Sequence, residues 1–86
     1  MTQIIQEPVS VILASDSQIK KTRPSYLFWK SKKYSITKVA FHHTYRRGQT
    51  LFHVYSVLSS QLYFKLVFNT DSLSWQLEEF SDVSLS

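Results

Sequence analysis

The feature that most limits the fold of this chain is a repeated alternation of apolar and polar residues after Pro24, broken only by short groups of turn formers. Phe52 and Val54, and later Leu62–Phe68, show the alternation clearly. A period of two is typical of β-strands with one buried face, and no helical period longer than two turns occurs. The sequence therefore predicts an all-β protein of consecutive antiparallel hairpins.

About six strands follow from this pattern, and the 86 residues suffice for one core without a disulfide or metal. We expect a single small antiparallel meander, strongly twisted or curled into a partly open barrel. A flexible N-terminal arm is expected at 1–7, one domain at 8–80, a short tail at 81–86 and a surface loop at 15–24. The expected strands are Pro8–Leu13, Tyr26–Trp29, Tyr34–Phe41 and three more through residues 52–58, 62–68 and 73–77.

Turn formers give an expected register for the first hairpins. Lys30–Lys33 is typical of a turn, and its length, which the sequence leaves open, decides whether Phe28 or Trp29 points inward. The single glycine, Gly48, predicts a two-residue turn at Arg47 and Gly48, because glycine reaches positive φ without steric cost. That turn places His42 opposite His53, and Phe41 opposite Val54.

Later segments extend the register. A change of parity between Ile36 and Val39 predicts a β-bulge near Thr37 and Lys38, which keeps Phe41 on the buried face. A three-residue loop at 59–61 places Val54 opposite Leu66 and makes Tyr55 and Lys65 cross-strand neighbours. The last turn, at 69–72, pairs the final two strands. In that pairing Phe68 lies opposite Leu73, Leu66 opposite Trp75, and Phe64 opposite Leu77.

Composition excludes several classes of protein. The absence of cysteine excludes disulfide frameworks and thiolate chemistry and is compatible with a reducing cytoplasm, where we expect the protein. Hydrophobic residues make up 43% of the chain, which predicts an ordered core. The longest purely apolar runs, such as Val11–Ala14, have four residues, so we expect no membrane span or signal peptide.

Charge is distributed unevenly along the chain. All ten Lys and Arg residues lie between Lys20 and Lys65, whereas no Asp or Glu occurs between Asp16 and Asp71. Such segregation can create a basic face that attracts polyanions. The alternative is that antiparallel pairing brings the acidic ends beside the basic strands, so that the charges cancel locally.

Basic residues at hairpin tips, interleaved with aromatic residues, indicate a candidate binding face. Single-strand binders combine a positive groove with aromatic platforms for base stacking. We therefore expect a small non-enzymatic module that binds nucleic acid, DNA or RNA. The alternatives are aromatic pairs that only stabilise the sheet, and a protein-interaction or accessory domain. The candidate nucleic-acid-binding residues are Lys30, Lys32, Lys33, Tyr45, Arg46, Arg47, Tyr55 and Lys65.

Other chemistry has little support in the sequence. His42 and His53 form the start of a zinc site, but the sequence offers them no nearby third ligand, so we expect no metal. Glu78 and Glu79 are adjacent in an expected strand and so should point to opposite faces, which excludes a paired acid and base. No nucleophile motif or phosphate-binding glycine loop occurs, and we expect neither catalysis nor a cofactor.

The segment from Leu27 to Glu79 contains a series of aromatic, β-branched and basic residues at fixed spacings: Phe28, Trp29, Lys32 or Lys33, Tyr34, Ile36 and Val39, then Phe52, Val54, Phe64 and Leu66, then Trp75, Leu77 and Glu78. With these residues the segment resembles a small, uncharacterised bacterial all-β domain family. That family occurs alone or attached to proteins similar to error-prone DNA polymerases, so the resemblance implies a DNA-repair context. One departure is Ser31, at a turn where the family often has glycine.

Overall fold

A computed structural model describes residues 2–16 and 21–82, and within them the chain forms one antiparallel β-sheet. The predicted all-β class is confirmed, with seven strands instead of about six because the expected strand at 34–41 divides in two. The strands are β1 (Thr2–Asp16), β2 (Lys21–Trp29), β3 (Lys32–Ser35), β4 (Lys38–Arg47), β5 (Thr50–Ser59), β6 (Leu62–Asn69) and β7 (Ser74–Asp82).

The first and last strands meet in the middle of the sheet, whose order is β3-β2-β1-β7-β6-β5-β4. β1 pairs with β7 through Thr2–Val9 and with β2 through Ser10–Asp16. It kinks between Ile4 and Glu7, where Gln6 has a φ of 56°. Residues 2–7, expected to be a loose arm, therefore lie in a paired strand.

The two edge strands, β3 and β4, follow each other in the chain and bring the two ends of the sheet together. The N–H of Ile36 donates to Ser25 O on β2 (2.9 Å), and the next N–H, of Thr37, donates to Leu58 O on β5 (2.8 Å). Instead of the β-bulge predicted near Thr37 and Lys38, the chain has a break between β3 and β4 here, and the bulge lies further on, between Val39 and Phe41. The sheet is curled but does not close into a barrel.

The core lies on the inner face of the curl. Phe64, Leu66, Leu77 and Leu27 are fully buried there, and the ring centroids of Trp29 and Phe80 lie 5.3 Å apart. The question left open for Trp29 and Phe28 is decided by a two-residue turn at Lys30 and Ser31, both at positive φ. Trp29 points inward, and Phe28 lies on the outer face, 37% exposed.

The β4–β5 register differs from the predicted one by two residues. Arg47 pairs with Thr50, so Gly48 (φ 62°) is the first of the two turn residues and not the second. An even shift leaves unchanged which residues of the two strands lie on the same face. A bulge at Ala40, however, turns Phe41 to the outer face, where it is 58% exposed, so its expected burial is wrong.

The β5–β6 register differs by one residue, which reverses the faces. Ser59 pairs with Leu62 across a two-residue turn, so Tyr55 lies opposite Leu66 and Val54 opposite Val67. The expected pairing of Tyr55 with Lys65 is therefore wrong. The β6–β7 register is two residues from the expected one, and Leu73 is 72% exposed in the turn.

The ends of the other expected segments lie partly outside the described residues. The loop expected at 15–24 is shorter, since β1 reaches Asp16 and β2 begins at Lys21; residues 17–20 lie outside the described ranges. Of the tail expected at 81–86, Ser81 and Asp82 belong to β7 and residues 83–86 lie outside those ranges. In the described part of the chain, no helix is long and apolar enough to cross a membrane.

Candidate nucleic-acid interface

The outer face of the β4–β5 hairpin carries a row of aromatic side chains that ends in an arginine. Because of the bulge at Ala40, Phe41, His43, Tyr45 and Arg47 all lie opposite outer-face residues of β5. We call these four residues the outer stripe. Phe41, His43 and Arg47 are exposed, and Tyr45 is half-buried.

Ring contacts hold the outer stripe in place. The centroids of Phe41 and His43 lie 5.3 Å apart, and Tyr45 stacks on Phe52 of β5 at 4.9 Å with an interplanar angle of 11°. Same-face residues of a strand are about 6.8 Å apart, so the stripe presents rings at regular intervals along β4. Such paired aromatics stabilise a sheet, and their exposed surfaces remain accessible to a planar ligand.

The inner face of the same hairpin holds a second aromatic group. His42 Nε2 and His53 Nδ1 are 2.9 Å apart, and His42 stacks on Tyr55 at 4.3 Å. Burial, followed by the charges of His53 and His43, lowers the pKa of His42 below 6.5, and burial raises the pKa of Tyr55. The histidines are a diagonal pair and not directly opposite. Among the described side chains, no third His, Cys, Asp or Glu joins them.

The two arginines of the hairpin point to opposite faces. Arg47 continues the outer stripe, whereas Arg46 lies opposite Leu51 on the face of His42. No described carboxylate lies within ion-pair distance of either guanidinium group. Asp71, in the adjacent β6–β7 turn, accepts a hydrogen bond from the Thr50 hydroxyl. The arginine charges are therefore available to an anionic ligand.

The three hairpin lysines lie around a different turn. Lys33 Nζ sits 4.2 Å from the ring centroid of Tyr26, and Lys30 Nζ sits 4.9 Å from that of Trp29. Lys32 lies opposite Trp29 and is exposed. Along the chain, β3 and β4 lie between this turn and the turn at Gly48. The predicted basic residues at hairpin tips therefore form two groups.

Lys65 and Tyr55, also predicted for the binding face, are placed differently. Lys65 Nζ lies 3.4 Å from Glu79 Oε2 and 3.8 Å from Glu78 Oε1. A bulge in the β6–β7 ladder brings both carboxylates to one lysine, so the expectation that they point to opposite faces is wrong. Burial would lower the pKa of Lys65, but the two glutamates and Tyr63 outweigh it and raise the pKa. Tyr55 packs against the core.

Among the described side chains, the acidic C-terminal strand forms ion pairs with the basic middle of the chain at Lys65. The carboxylate of Glu7 instead accepts a hydrogen bond from Trp29 Nε1. The hairpin lysines and arginines form no ion pair with any described carboxylate.

Sequence reasoning missed Phe41 and Phe52 as site residues. Phe41 was assigned to the core, so the aromatic row of β4 was not recognised. The usable signal was the period of two itself, since residues 41, 43, 45 and 47 share one parity.

No protein-family model matches this chain, and neither the curated proteins nor the solved structures include a match. The resemblance to the bacterial domain family consequently stays a prediction.

Proposed function

We propose that this protein is a small, non-enzymatic module that binds single-stranded nucleic acid through the outer stripe and the basic residues around it. The observation that carries the proposal is the row of exposed Phe41 and His43 and half-buried Tyr45 on β4, which ends in Arg47 without a described acidic partner. An exposed ring stacks on an unpaired base for about 1–3 kcal/mol per base.

The chemistry favours a single strand over a duplex. Bases in a duplex are stacked on each other and paired, so they cannot lie on protein rings without being extruded. The phosphates would contact Arg47 and other unpaired basic side chains, and the formal net charge of +4 supports attraction of polyanions at longer range. The absence of cysteine fits a bacterial cytoplasm, and the resemblance noted above fits a DNA-repair setting.

The test is fluorescence anisotropy with labelled single-stranded and duplex oligonucleotides of about 12 nucleotides, within the roughly 4–16 that one small β-domain covers. We expect tighter binding to the single strand, and an affinity that falls steeply between about 50 and 200 mM salt. Arg47→Gln should reduce the slope of log affinity against log salt by about 0.7.

Arg23→Gln is the matched control, because it makes the same charge change on β2, away from the outer stripe. It should leave the slope near its wild-type value. No binding of any oligonucleotide at about 50 mM salt would overturn the proposal.

A second candidate function is protein interaction through the outer edge of β4. β4 pairs with β5 alone, so one side of a ten-residue strand is open to a partner strand. Specific retention of one protein, at a salt concentration that abolishes oligonucleotide binding, would favour this second function.

A further inference from the structure

A second exposed ring lies on the outer face of the sheet, on β2 beside the β2–β3 turn. Phe28 is 37% exposed and lies directly opposite Lys33 of β3. Its neighbours in the chain, Leu27 and Trp29, point into the core, so Tyr26 shares the outer face with Phe28. We call Tyr26, Phe28 and Lys33 the β2–β3 patch. Like the outer stripe, this patch combines an exposed ring with a cation.

The ammonium group of Lys33 is held beside the exposed ring. Its Nζ sits 4.2 Å from the ring centroid of Tyr26, which is two residues from Phe28 on the same strand. Lys33 forms no ion pair with any described carboxylate. An ammonium group has three N–H donors, and a contact with a ring face leaves donors free. Lys33 can therefore contact the phosphate of a nucleotide whose base lies on Phe28.

The β2–β3 patch and the outer stripe are connected by a row of outer-face residues that crosses the sheet. Five inter-strand spacings of about 4.8 Å separate Phe28 on β2 from His43 on β4, which is about 24 Å along the sheet. No side chain in this row is acidic, and the two glutamates of β7 next to it are paired with Lys65. A polyanion can therefore follow the row without meeting a like charge. From His43 to Phe28, the connecting residues are Val54, Val67, Gln76, Pro8 and Ser10.

We propose that the β2–β3 patch is a second nucleotide-binding subsite, and that one single strand crosses the outer face from the outer stripe to this patch. A base stacks on Phe28, and Lys33 contacts an adjacent phosphate. At about 3.4 Å per nucleotide, the spacing in a stacked strand, about 24 Å corresponds to about seven nucleotides. This inference rests on the proposed function and adds a second contact and a minimum strand length to it.

The first experiment measures, by fluorescence anisotropy, the affinity of the full chain for single strands of about 4, 8 and 12 nucleotides. The shortest strand reaches one site at a time, whereas the longer two reach both. Once one site is occupied, binding to the other is intramolecular and profits from a raised effective concentration. We expect the affinity to rise by about tenfold or more from the shortest strand to the middle one, and much less from the middle one to the longest.

The second experiment removes the ring of the β2–β3 patch. Phe28→Leu keeps an apolar side chain but offers no ring, so it should weaken binding of the longest strand by about fivefold or more. The same variant should change binding of the shortest strand by about twofold at most, because the outer stripe still binds that strand. Phe28→Tyr is the matched control, since it keeps the ring, and it should bind both strands as the wild type does.

The third experiment tests the phosphate contact. Lys33→Gln should reduce the slope of log affinity against log salt by about 0.7 for the longest strand. Arg23→Gln makes the same charge change on β2, five residues from Phe28, and should leave the slope near its wild-type value.

Two results would overturn the second subsite and leave the proposed function standing. One is a wild-type affinity that rises only in proportion to strand length. The other is a folded Phe28→Leu protein that binds the longest strand as tightly as the wild type, in which case the exposed ring of Phe28 serves a different partner, such as a protein. Absence of binding to every strand at about 50 mM salt would instead overturn the proposed function itself.

Discussion

Replacing Phe41 with alanine separates binding from folding, because this ring is large but mostly outside the core. Its side chain is 58% exposed, so a fraction of about 0.4 is buried. Full burial of a phenylalanine side chain contributes roughly 1.5–3 kcal/mol, so the substitution should lower the free energy of unfolding by about 0.6–1.3 kcal/mol. If the ring stacks on a base, Phe41→Ala also removes about 1–3 kcal/mol of binding free energy. That loss corresponds to a drop in affinity of about 5- to 150-fold.

The assay is anisotropy with a labelled single strand at fixed low salt, alongside urea denaturation of the same variant. Ile4→Ala is the control, because Ile4 is an exposed apolar side chain of β1 (76% exposed) opposite Glu79 and outside the outer stripe. Its affinity should equal that of the wild type. A folded Phe41→Ala protein that binds as tightly as the wild type would refute the stacking role of the outer stripe.

Three further predictions concern stability. Ser31 has a φ of 62°, a strained conformation for a residue with a side chain, so Ser31→Gly should raise the free energy of unfolding by up to about 1 kcal/mol and Ser31→Val should lower it. Thermal melts by circular dichroism measure the difference, and equal melting temperatures would contradict backbone strain at Ser31. The lowered pKa of His42 means that the unfolded chain binds protons more readily, so stability should fall as pH drops below about 6.5, and urea titrations should show a smaller fall for His42→Gln. Phe64→Ala should cost about 3–5 kcal/mol of the roughly 4–13 expected for a domain of this length, and a loss under about 1 kcal/mol in denaturant titrations would show that Phe64 is not central to the core.

The strand pattern was predictable because alternation and turn formers act locally. Gly48 marked its turn to within one position, and an error of two residues there left unchanged which residues from Phe41 to Arg47 share a face with which residues of β5. The β5–β6 register was not predictable from alternation, since Val54 and Val67 are apolar on the outer face while Tyr55 and Leu66 are apolar on the inner one. With both faces apolar, hydrophobicity does not decide the register, and the turn length does.

The candidate site was predictable in charge but not in geometry. Arg46 and Arg47 lie at a hairpin tip as expected, yet the bulge at Ala40 decides which aromatic residues share a face with each of them. An alanine has no side-chain feature that marks a bulge. The sequence likewise does not mark the bulge in β7 that brings Glu78 and Glu79 to the same lysine. Backbone irregularities of this kind depend on the whole sheet, so the exposure of Phe41 appears only in the folded structure.

Because β1 pairs with β7, the strand order is that of a circularly permuted meander. Taken from β4, the sheet reads β4, β5, β6, β7, β1, β2, β3, so every neighbour is consecutive except the two terminal strands. A circular permutant that begins at Thr37 and joins Asp82 to Thr2 by a linker would convert that long-range ladder into a hairpin. Its contact order falls while the sheet is unchanged, and since contact order governs folding rates, the permutant should fold faster than the natural order.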